Sequence, residues 1–550
     1  MHGLMMRQPL LISSLLRHAD AWHGDTEVVT RLPEGGVHRY DYRAAHRRAR
    51  QLARALAALG VQRTDRVGTL AWNTHRHFEI YYAASGSGAV VHTINPRLSL
   101  DQLAYIVGHA DDRVLFFDIA FLKQVEAIAP RCAHVRHWIA LTDRAHLPAN
   151  TLPLLCYEEV VAGESDDFEW PDLDELAAAA LCYTSGTTGH PKGVLYTHRS
   201  TLLHAYAASL PDSLGLSARD TVLPVVPMFH VNAWGIPYAA PLTGAKLVFP
   251  GAGLDGASLT ELYTRERVTF SCGVPTIWLG VLQHLQKSGQ RLPLPHRTVI
   301  GGAALPTSLT QTLRDDHGLE VRHGWGMTEL SPVGVVNTPR RSDTSNTPVE
   351  EPQRAQGRVL PGIDLCLVDA AGAAVPHDGR SRGELLARGH WVCEGYFRNE
   401  GGDPLRAGGW FPTGDIATID ADGYLRIVDR AKDLVKSGGE WISSIELENA
   451  VLSHPAIAQA AVIAVPHEKW GERPFVIAVC KPDCATSDTE ILAHLQARVP
   501  KWWMPEGVEF VASLPFSGTG KVLKRELRER HLKRISGPGK PRSTGGAGEG

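Results

Sequence analysis

Between two apolar, strand-like runs, Ala177 to Leu181 and Val194 to Tyr196, residues 183–193 read Tyr-Thr-Ser-Gly-Thr-Thr-Gly-His-Pro-Lys-Gly. No other stretch restricts the fold and its chemistry as strongly. Glycines let successive backbone N–H groups turn toward one point, which makes a nest for phosphate oxygens. Thr184, Ser185, Thr187 and Thr188 add hydroxyl donors, and Lys192 adds positive charge. The pattern points to a nucleoside triphosphate. It is not a Walker loop, because His190 and Pro191 separate Gly189 from Lys192, and Gly193 stands where that loop needs a hydroxyl. It is not a dinucleotide-binding turn either. Taken alone, the loop also reads as a plain Gly/Thr surface turn, so its meaning depends on the rest of the chain.

The chain of 550 residues is 43% hydrophobic, enough for two or more domains with large cores. A net charge of −3 implies no general attraction to nucleic acid or anionic membrane. Its eight cysteines are scattered and form no C-x-x-C, so buried reduced thiols in a cytoplasmic protein are expected. The run Leu10–Leu16 is short and broken by two serines. It reads as the start of an amphipathic helix rather than a signal peptide. No stretch reaches the roughly 18 apolar residues of a membrane span.

Over the first 430 residues, helix-like and strand-like segments alternate. Ala44–Leu59 repeats apolar positions three and four apart and stops at Gly60. Arg66–Ala71 and Val114–Asp118 read as strands, and Ser99 is placed to cap a helix over Leu100–Val107. Such alternation favours α/β layers with partly parallel sheets. Polar loops are expected at 143–150, 211–220 and 338–356, the last of them exposed. Near Asp429-Arg430-Ala431-Lys432-Asp433 the texture changes. Beyond it come a helix (Ser443–Ser453), strands (Ala458–Val465 and Phe475–Lys481), a helix (Glu490–Val499), a strand and a terminal helix. The expected organisation is a large N-terminal domain of layered α/β subdomains (1–430), a small mobile α+β domain (431–535) and a disordered Gly/Pro/Ser-rich tail (536–550).

Four further segments carry chemistry. Gly324-Trp325-Gly326-Met327-Thr328-Glu329 joins an acid to a hydroxyl after a flexible turn. Trp410-Phe411-Pro412-Thr413-Gly414-Asp415 places a carboxylate after a tight turn, residues 429–441 read DRAKDLVKSGGEW, and residues 514–524 read LPFSGTGKVLK. Each alone is weak, since an acid after glycine is commonly a solvated turn residue. In this order and spacing they resemble the adenylate-forming superfamily of acyl-CoA synthetases, firefly luciferase and peptide-synthetase adenylation domains. The chain is most similar to the bacterial medium-chain fatty-acyl-CoA and 3-methylmercaptopropionate ligases within it. That closer likeness rests on Met5 to Ile12, Thr93-Ile-Asn-Pro-Arg97, Pro227-Met-Phe-His-Val-Asn-Ala-Trp-Gly235 and Lys436 to Ile442. Trp325 departs from the tyrosine most members carry, and Phe516 from a common basic residue.

The resemblance implies a two-step reaction: a carboxylate attacks the α-phosphorus of ATP, and coenzyme A then displaces AMP. Positioning and charge neutralisation should dominate such chemistry. It implies that Thr184, Ser185, Gly186, Thr187, Thr188, Gly189 and Lys192 hold the β and γ phosphates. Thr184 and Glu329 are implied to hold Mg2+. Gly302, Ala303, His323, Gly324, Trp325 and Thr328 would wall the adenine site, with Trp325 as a stacking surface. Asp415 would accept the ribose hydroxyls, Arg430 would reach the ribose or the phosphates, and Lys521 would bridge carboxylate and α-phosphate. His230 would contact the adenylate and Trp234 would gate the acyl pocket, although both also read as ordinary core residues. Lys432, with Asp433 beside it, matches the family's hinge. Lys436, Gly438, Gly439, Glu440, Trp441 and Glu472 would line the pantetheine side. The expected activity is an ATP-dependent ligase joining a medium-chain or short thioether acid to coenzyme A, in a homodimer. Loading of a carrier protein and a luciferase-like oxidation stay open as alternatives.

Overall fold

The computed structural model describes residues 1, 3–184, 190–339, 355–438, 440–482, 484–516 and 521–536. The chain divides into two compact units, the first running from Met1 to Ile427 and the second starting at Val428.

Two large sheets organise the first unit. In one, strands Leu154–Cys156, His137–Ala140, Asp112–Phe117, Arg66–Leu70, Val90–Thr93 and Ala178–Tyr183 lie parallel in that order, and Gly193–Thr197 closes the edge antiparallel. In the other, six parallel strands run Glu320–Gly326, Arg297–Gly301, Phe270–Gly273, Thr221–Pro224, Lys246–Phe249 and Glu27–Arg31. Antiparallel strands flank them on both sides. Parallel neighbours need crossover connections, which is why helices alternate with strands in the sequence. A smaller antiparallel sheet spans Ile363–Val368 to Leu425–Arg430.

One apolar core fills the space between the two large sheets. It joins Val67, Val91 and Phe116 of one sheet to Val222, Leu247 and Phe270 of the other through helices Tyr42–Ala58, His75–Gly86 and Ile236–Thr243. Helices Leu100–Ala110 and Leu122–Ile128 cover the outer face of the first sheet. Gly256–Glu266, Pro275–Ser288 and Thr307–Asp315 cover that of the second. All 12 residues of His75–Gly86 are buried, charged ones included. Glu79 accepts from Arg48 Nε at 2.9 Å and Tyr157 OH at 2.6 Å, and Arg76 pairs with Glu34 and Glu158, each at 2.7 Å. Removing one partner of such a buried pair costs about 3–5 kcal/mol.

The second unit is a separate α+β fold. A hairpin of Ile457–His467 and Gly471–Cys480 carries Val435–Ser437 and Val508–Phe510 beside its second strand. Val435, Leu447, Val462 and Val476 centre its core. Lys524, on the terminal helix, reaches Glu448 Oε1 at 2.7 Å and Ser444 Oγ at 2.5 Å, and Ser444 Oγ in turn donates to Asp429.

Several expectations change in detail. The N-terminal helix spans Ser13–His23 rather than starting at Leu10, because Leu10 N donates to Glu175 and Ile12 N to His198 Nδ1. Loop 143–150 contains a short turn, Arg144–His146, capped by Asp143. The 338–356 segment is not exposed at its ends: Thr338 and Ala355 are buried, tied by Tyr424 OH and Asn337 Nδ2 to their carbonyls. Residues 340–354 lie outside the described residues, as does most of the tail. Only four cysteines are buried; Cys366, Cys393 and Cys480 are half-buried, and Cys484 is exposed in the turn after a strand. Ser99 caps Leu100–Ala110 in a full capping box, as its place before the apolar run predicts.

Five histidines of the first unit are held neutral by burial. His77, His198, His204 and His323 are pulled down to about 4, and His296 to about 3. Their stabilising contribution is complete above the unfolded value of 6.5 and is lost as the pH falls through the interval from 6.5 to about 4. The unfolded chain binds those protons first, at ~1.4 kcal/mol per pH unit for each. Asp118, pushed up to about 7 by burial, opposes them with one proton in the interval from 7 to 3.8. Urea midpoints measured from pH 7 to 4.5 should therefore fall steeply for the first unit, with net proton uptake on unfolding. A flat profile would contradict the neutral assignment.

Candidate active site

The Gly/Thr loop hangs from a hairpin at the carboxyl end of a parallel strand. Tyr183 pairs with Gly193, Thr184 N donates to Lys192 O at 2.8 Å, and Lys192 N donates back to Thr184 Oγ1 at 3.3 Å. Ser185, Gly186, Thr187, Thr188 and Gly189 lie outside the described residues. On the returning limb, His190 stacks on Tyr105 with ring centroids 4.2 Å apart. Tyr183 OH lies 2.7 Å from His109 Nδ1.

Lys192 reaches a residue that the sequence reading did not single out. Its Nζ sits over the Tyr396 ring, 4.7 Å from the centroid, and the Tyr396 hydroxyl donates to Glu329 Oε1 at 2.9 Å. Burial, and then the Glu329 charge, drive the Tyr396 pKa far above its usual value, so the phenol remains a donor. Glu329 itself is buried in the short turn Thr328–Leu330, just beyond strand Glu320–Gly326. Tyr196 OH holds the Thr328 carbonyl at 2.6 Å, and Cys393 N holds that of Glu329 at 2.8 Å.

The residues expected around adenine converge on adjacent strand ends. Gly301 pairs with Gly324, and Gly302 follows with φ +80. His323 is buried and shares a backbone hydrogen bond with Ala303. Trp325 Nε1 donates to Asp415 Oδ2 at 2.9 Å, and Asp415 is 1% exposed. Trp325 and Asp415 are thus one unit, with the indole edge fixing the carboxylate.

Asn73 clips the approach to His230. Its amide donates to the carbonyls of Pro224 and Val226, each at 2.9 Å, and its oxygen accepts from Met228 N at 2.6 Å. His230 then lines a small cleft with Thr93, Asn95, Leu98, Tyr183 and Phe229. Beyond it the backbone turns left-handed for five residues, Val231 (φ 41), Asn232 (50), Ala233 (49), Trp234 (56) and Gly235 (77). Left-handed backbone costs about 1–2 kcal/mol per non-glycine residue, and such strain persists only where its surroundings hold it. The buried Asn232 side chain meets Cys182 Sγ at 3.3 Å and the hydroxyls of Tyr81 and Tyr238 at 3.4 Å each. The turn lays Trp234 against the end of strand Arg297–Gly301, where a Cβ on Gly301 would come 3.2 Å from the indole.

In the second unit, Asp433 accepts from Arg528 NH2 at 2.9 Å, and the Lys432 carbonyl accepts from the same guanidinium. Asp429 Oδ1 accepts from Arg430 N, and the Arg430 carbonyl accepts from both Asp433 N and Leu434 N. Glu472 accepts from Lys436 N at 2.9 Å. Gly438, at φ +60, donates to the Trp470 carbonyl, and a Cβ there would come 2.8 Å from the Trp470 ring. Glu440 and Trp441 are exposed, and Gly439 lies outside the described residues. Lys521 is exposed and precedes Val522, which bridges Phe516 across residues 517–520.

Tyr396, Asn73 and Asn232 are the residues that sequence reasoning missed. Asn73 lies outside every motif, and Asn232 and Tyr396 act through partners that only folding brings near. For Asn232, the one available signal was its tolerance of left-handed backbone beside Gly235.

The chain matches the family model of the AMP-binding enzyme over residues 15–397 and that of the AMP-binding enzyme C-terminal domain over residues 446–521. It is 50% identical to a 3-methylmercaptopropionyl-CoA ligase of Ruegeria lacuscaerulensis, over 98% of this chain and 100% of that one. It is 48% identical to a medium-chain-fatty-acid–CoA ligase of Ectopseudomonas oleovorans, over 96% and 98%. Among solved structures, an anthranilate CoA ligase in complex with anthranoyl-AMP superposes with a TM-score of 0.86 at 25% identity, over 96% and 99%.

Gly235→Ala tests the left-handed turn. A Cβ there would come 2.7 Å from Nδ1 of the buried His204, whose Nε2 already accepts from Val333 N. The variant should lose about 2 kcal/mol or more of stability, read by urea unfolding. Wild-type stability would show that the turn is not strained.

Proposed function

The chain belongs to the AMP-binding enzyme family and is an ATP-dependent acid–thiol ligase that forms acyl-CoA through an acyl-adenylate, and we propose that its acid is a medium-chain fatty acid or a short thioether acid such as 3-methylmercaptopropionate. The observation that carries this reading is the near-full-length similarity to the two ligases, and it is supported by a small cleft that His230 and Tyr183 both line. One residue belongs to the acyl segment and the other opens the phosphate loop. A carboxylate can attack an α-phosphorus only where those two sites meet. Tyr183 ends one parallel strand and His230 follows the end of another, on the side where ligands of α/β sheets bind. The two relatives point to the acid class.

We assign the roles as follows. Residues 184–189 and Lys192 cradle the β and γ phosphates. Gly302, Ala303, His323, Gly324, Trp325 and Thr328 wall the adenine, Asp415 and Arg430 take the ribose, and His230 and Trp234 take the acyl end. Lys521 stabilises the charge that develops as carboxylate meets phosphorus. Glu329 and Thr184 offer a carboxylate and a hydroxyl, hard oxygen donors suited to Mg2+. No cluster of three or more metal-binding side chains occurs among the described residues, which fits a cation that keeps its waters and takes the rest of its shell from phosphates. When bound, Mg2+ would neutralise the triphosphate.

Two half-reactions need two arrangements of the units. We assign the pivot to Lys432 and Asp433. Lys436, Gly438, Gly439, Glu440, Trp441 and Glu472 face the pantetheine in the other. We place the enzyme in the cytoplasm as a homodimer. No helix among the described residues is long and apolar enough to cross a membrane.

An acid panel from C4 to C12, with 3-methylmercaptopropionate, scored by CoA-dependent AMP release, tests the substrate. Highest kcat/KM for C6–C10 acids or the thioether acid is expected; preference for acetate or an aromatic acid would overturn the assignment. Lys521→Ala should slow adenylation by about 10²–10³ and leave thioester formation from supplied acyl-adenylate intact. Equal loss of both steps in a folded variant would contradict its role.

A further inference from the structure

Lys192 and Glu329 lie 137 positions apart in sequence, yet both are gripped by Tyr396. Lys192 Nζ takes the ring face at 4.7 Å and Glu329 Oε1 takes the hydroxyl at 2.9 Å. Gly401 confines the ammonium from another side. Its φ is +84, and a Cβ there would come within 2.5 Å of Lys192 Nζ. The ring is itself fixed edge-on to Phe411, with centroids 6.4 Å apart. A lysine and a glutamate this close to one anchor could neutralise each other in a direct ion pair. Here the cation meets a π face and the anion meets a neutral O–H, so both keep their charge for a ligand. A cation over an aromatic face is held without surrendering its charge, and a carboxylate held by one neutral donor keeps most of its lone pairs.

We propose that Tyr396 is a positioning residue for the nucleotide: its ring seats Lys192 toward the triphosphate while its hydroxyl orients Glu329 toward the accompanying divalent cation. The proposal rests on the reading of Glu329 as the metal-side carboxylate.

Calorimetric titration of ATP into the full chain, once with excess Mg2+ and once with EDTA, separates the two halves of this role. Tyr396→Phe keeps the ring and loses the hydroxyl. Its ATP affinity in EDTA should stay within about twofold of wild type, while the affinity gained from Mg2+ should shrink about 5–10-fold. Tyr396→Leu loses the ring as well, and its affinity in EDTA should also fall, by about threefold or more. Glu329→Gln should lose the Mg2+-linked gain outright. If Glu329→Gln keeps that gain in full, the metal reading falls and the proposal falls with it. If Glu329→Gln loses the gain while Tyr396→Phe binds like wild type in both buffers, the metal reading stands and the role of Tyr396 is overturned. Equal weakening of Tyr396→Phe with and without Mg2+ would also overturn it, as the mark of a merely structural tyrosine. A thermal melt of each variant accompanies the titrations; should the leucine variant not fold, the phenylalanine variant decides alone.

Discussion

The first unit depends on a helix that must be buried on every side. His75–Gly86 lies between two sheets, so no face of it can be given to water. Its Arg76 and Glu79 are tolerable there only because Arg48, Glu34, Tyr157 and Glu158 satisfy them. Those partners come from three different stretches of chain, Tyr157 and Glu158 being neighbours. The network therefore ties the helix to the segments around it, and a wrong register of any of them would strand a charge in an apolar interior, at a cost of several kcal/mol. The carbonyl end of the preceding strand, Arg66–Leu70, leads into Asn73, which is how this buried layer comes to set the path of the His230 segment.

From that frame the site follows by topology. The strands run parallel, so their carboxyl ends and the turns after them gather on one side of each sheet. Tyr183, Pro224, Gly301 and Gly326 each end a strand, and the loop 184–192, His230, Gly302 and Glu329 follow them. Rigid strands fix where these turns start, and side chains fix how they bend. The clearest case is the left-handed turn from Val231 to Gly235, held by Asn232 and laying Trp234 on Gly301. The segments of Trp234 and Gly301 are thereby in contact through one indole.

Much of this was legible before folding. Capped helices such as Leu100–Ala110 announce themselves through Ser99 and Gln102, because a cap is a local interaction between residues three apart. The alternation of periods pointed to the parallel sheets, and the spaced motifs named the candidate site residues. Illegible were the features that depend on distant partners. Nothing in the local pattern of His75–Gly86 says that its charges are buried, since Glu158 lies 82 positions from Arg76. The left-handed turn is hidden because valine, alanine and tryptophan each disfavour that backbone locally, and tertiary contacts override the preference. Tyr396 is invisible for a third reason: its two contacts, Lys192 and Glu329, come from segments that read as unrelated motifs. The buried ends of the 338–356 segment escaped for the same reason, their anchors being Tyr424 and Asn337.

The account turns on an acyl-adenylate made before coenzyme A is engaged. Acid-dependent exchange of labelled pyrophosphate into ATP, measured with no thiol present, tests this most directly. Exchange that needs ATP, Mg2+ and the acid but not coenzyme A is the predicted result. Exchange that appears only when coenzyme A is added, or formation of ADP in place of AMP, would contradict it.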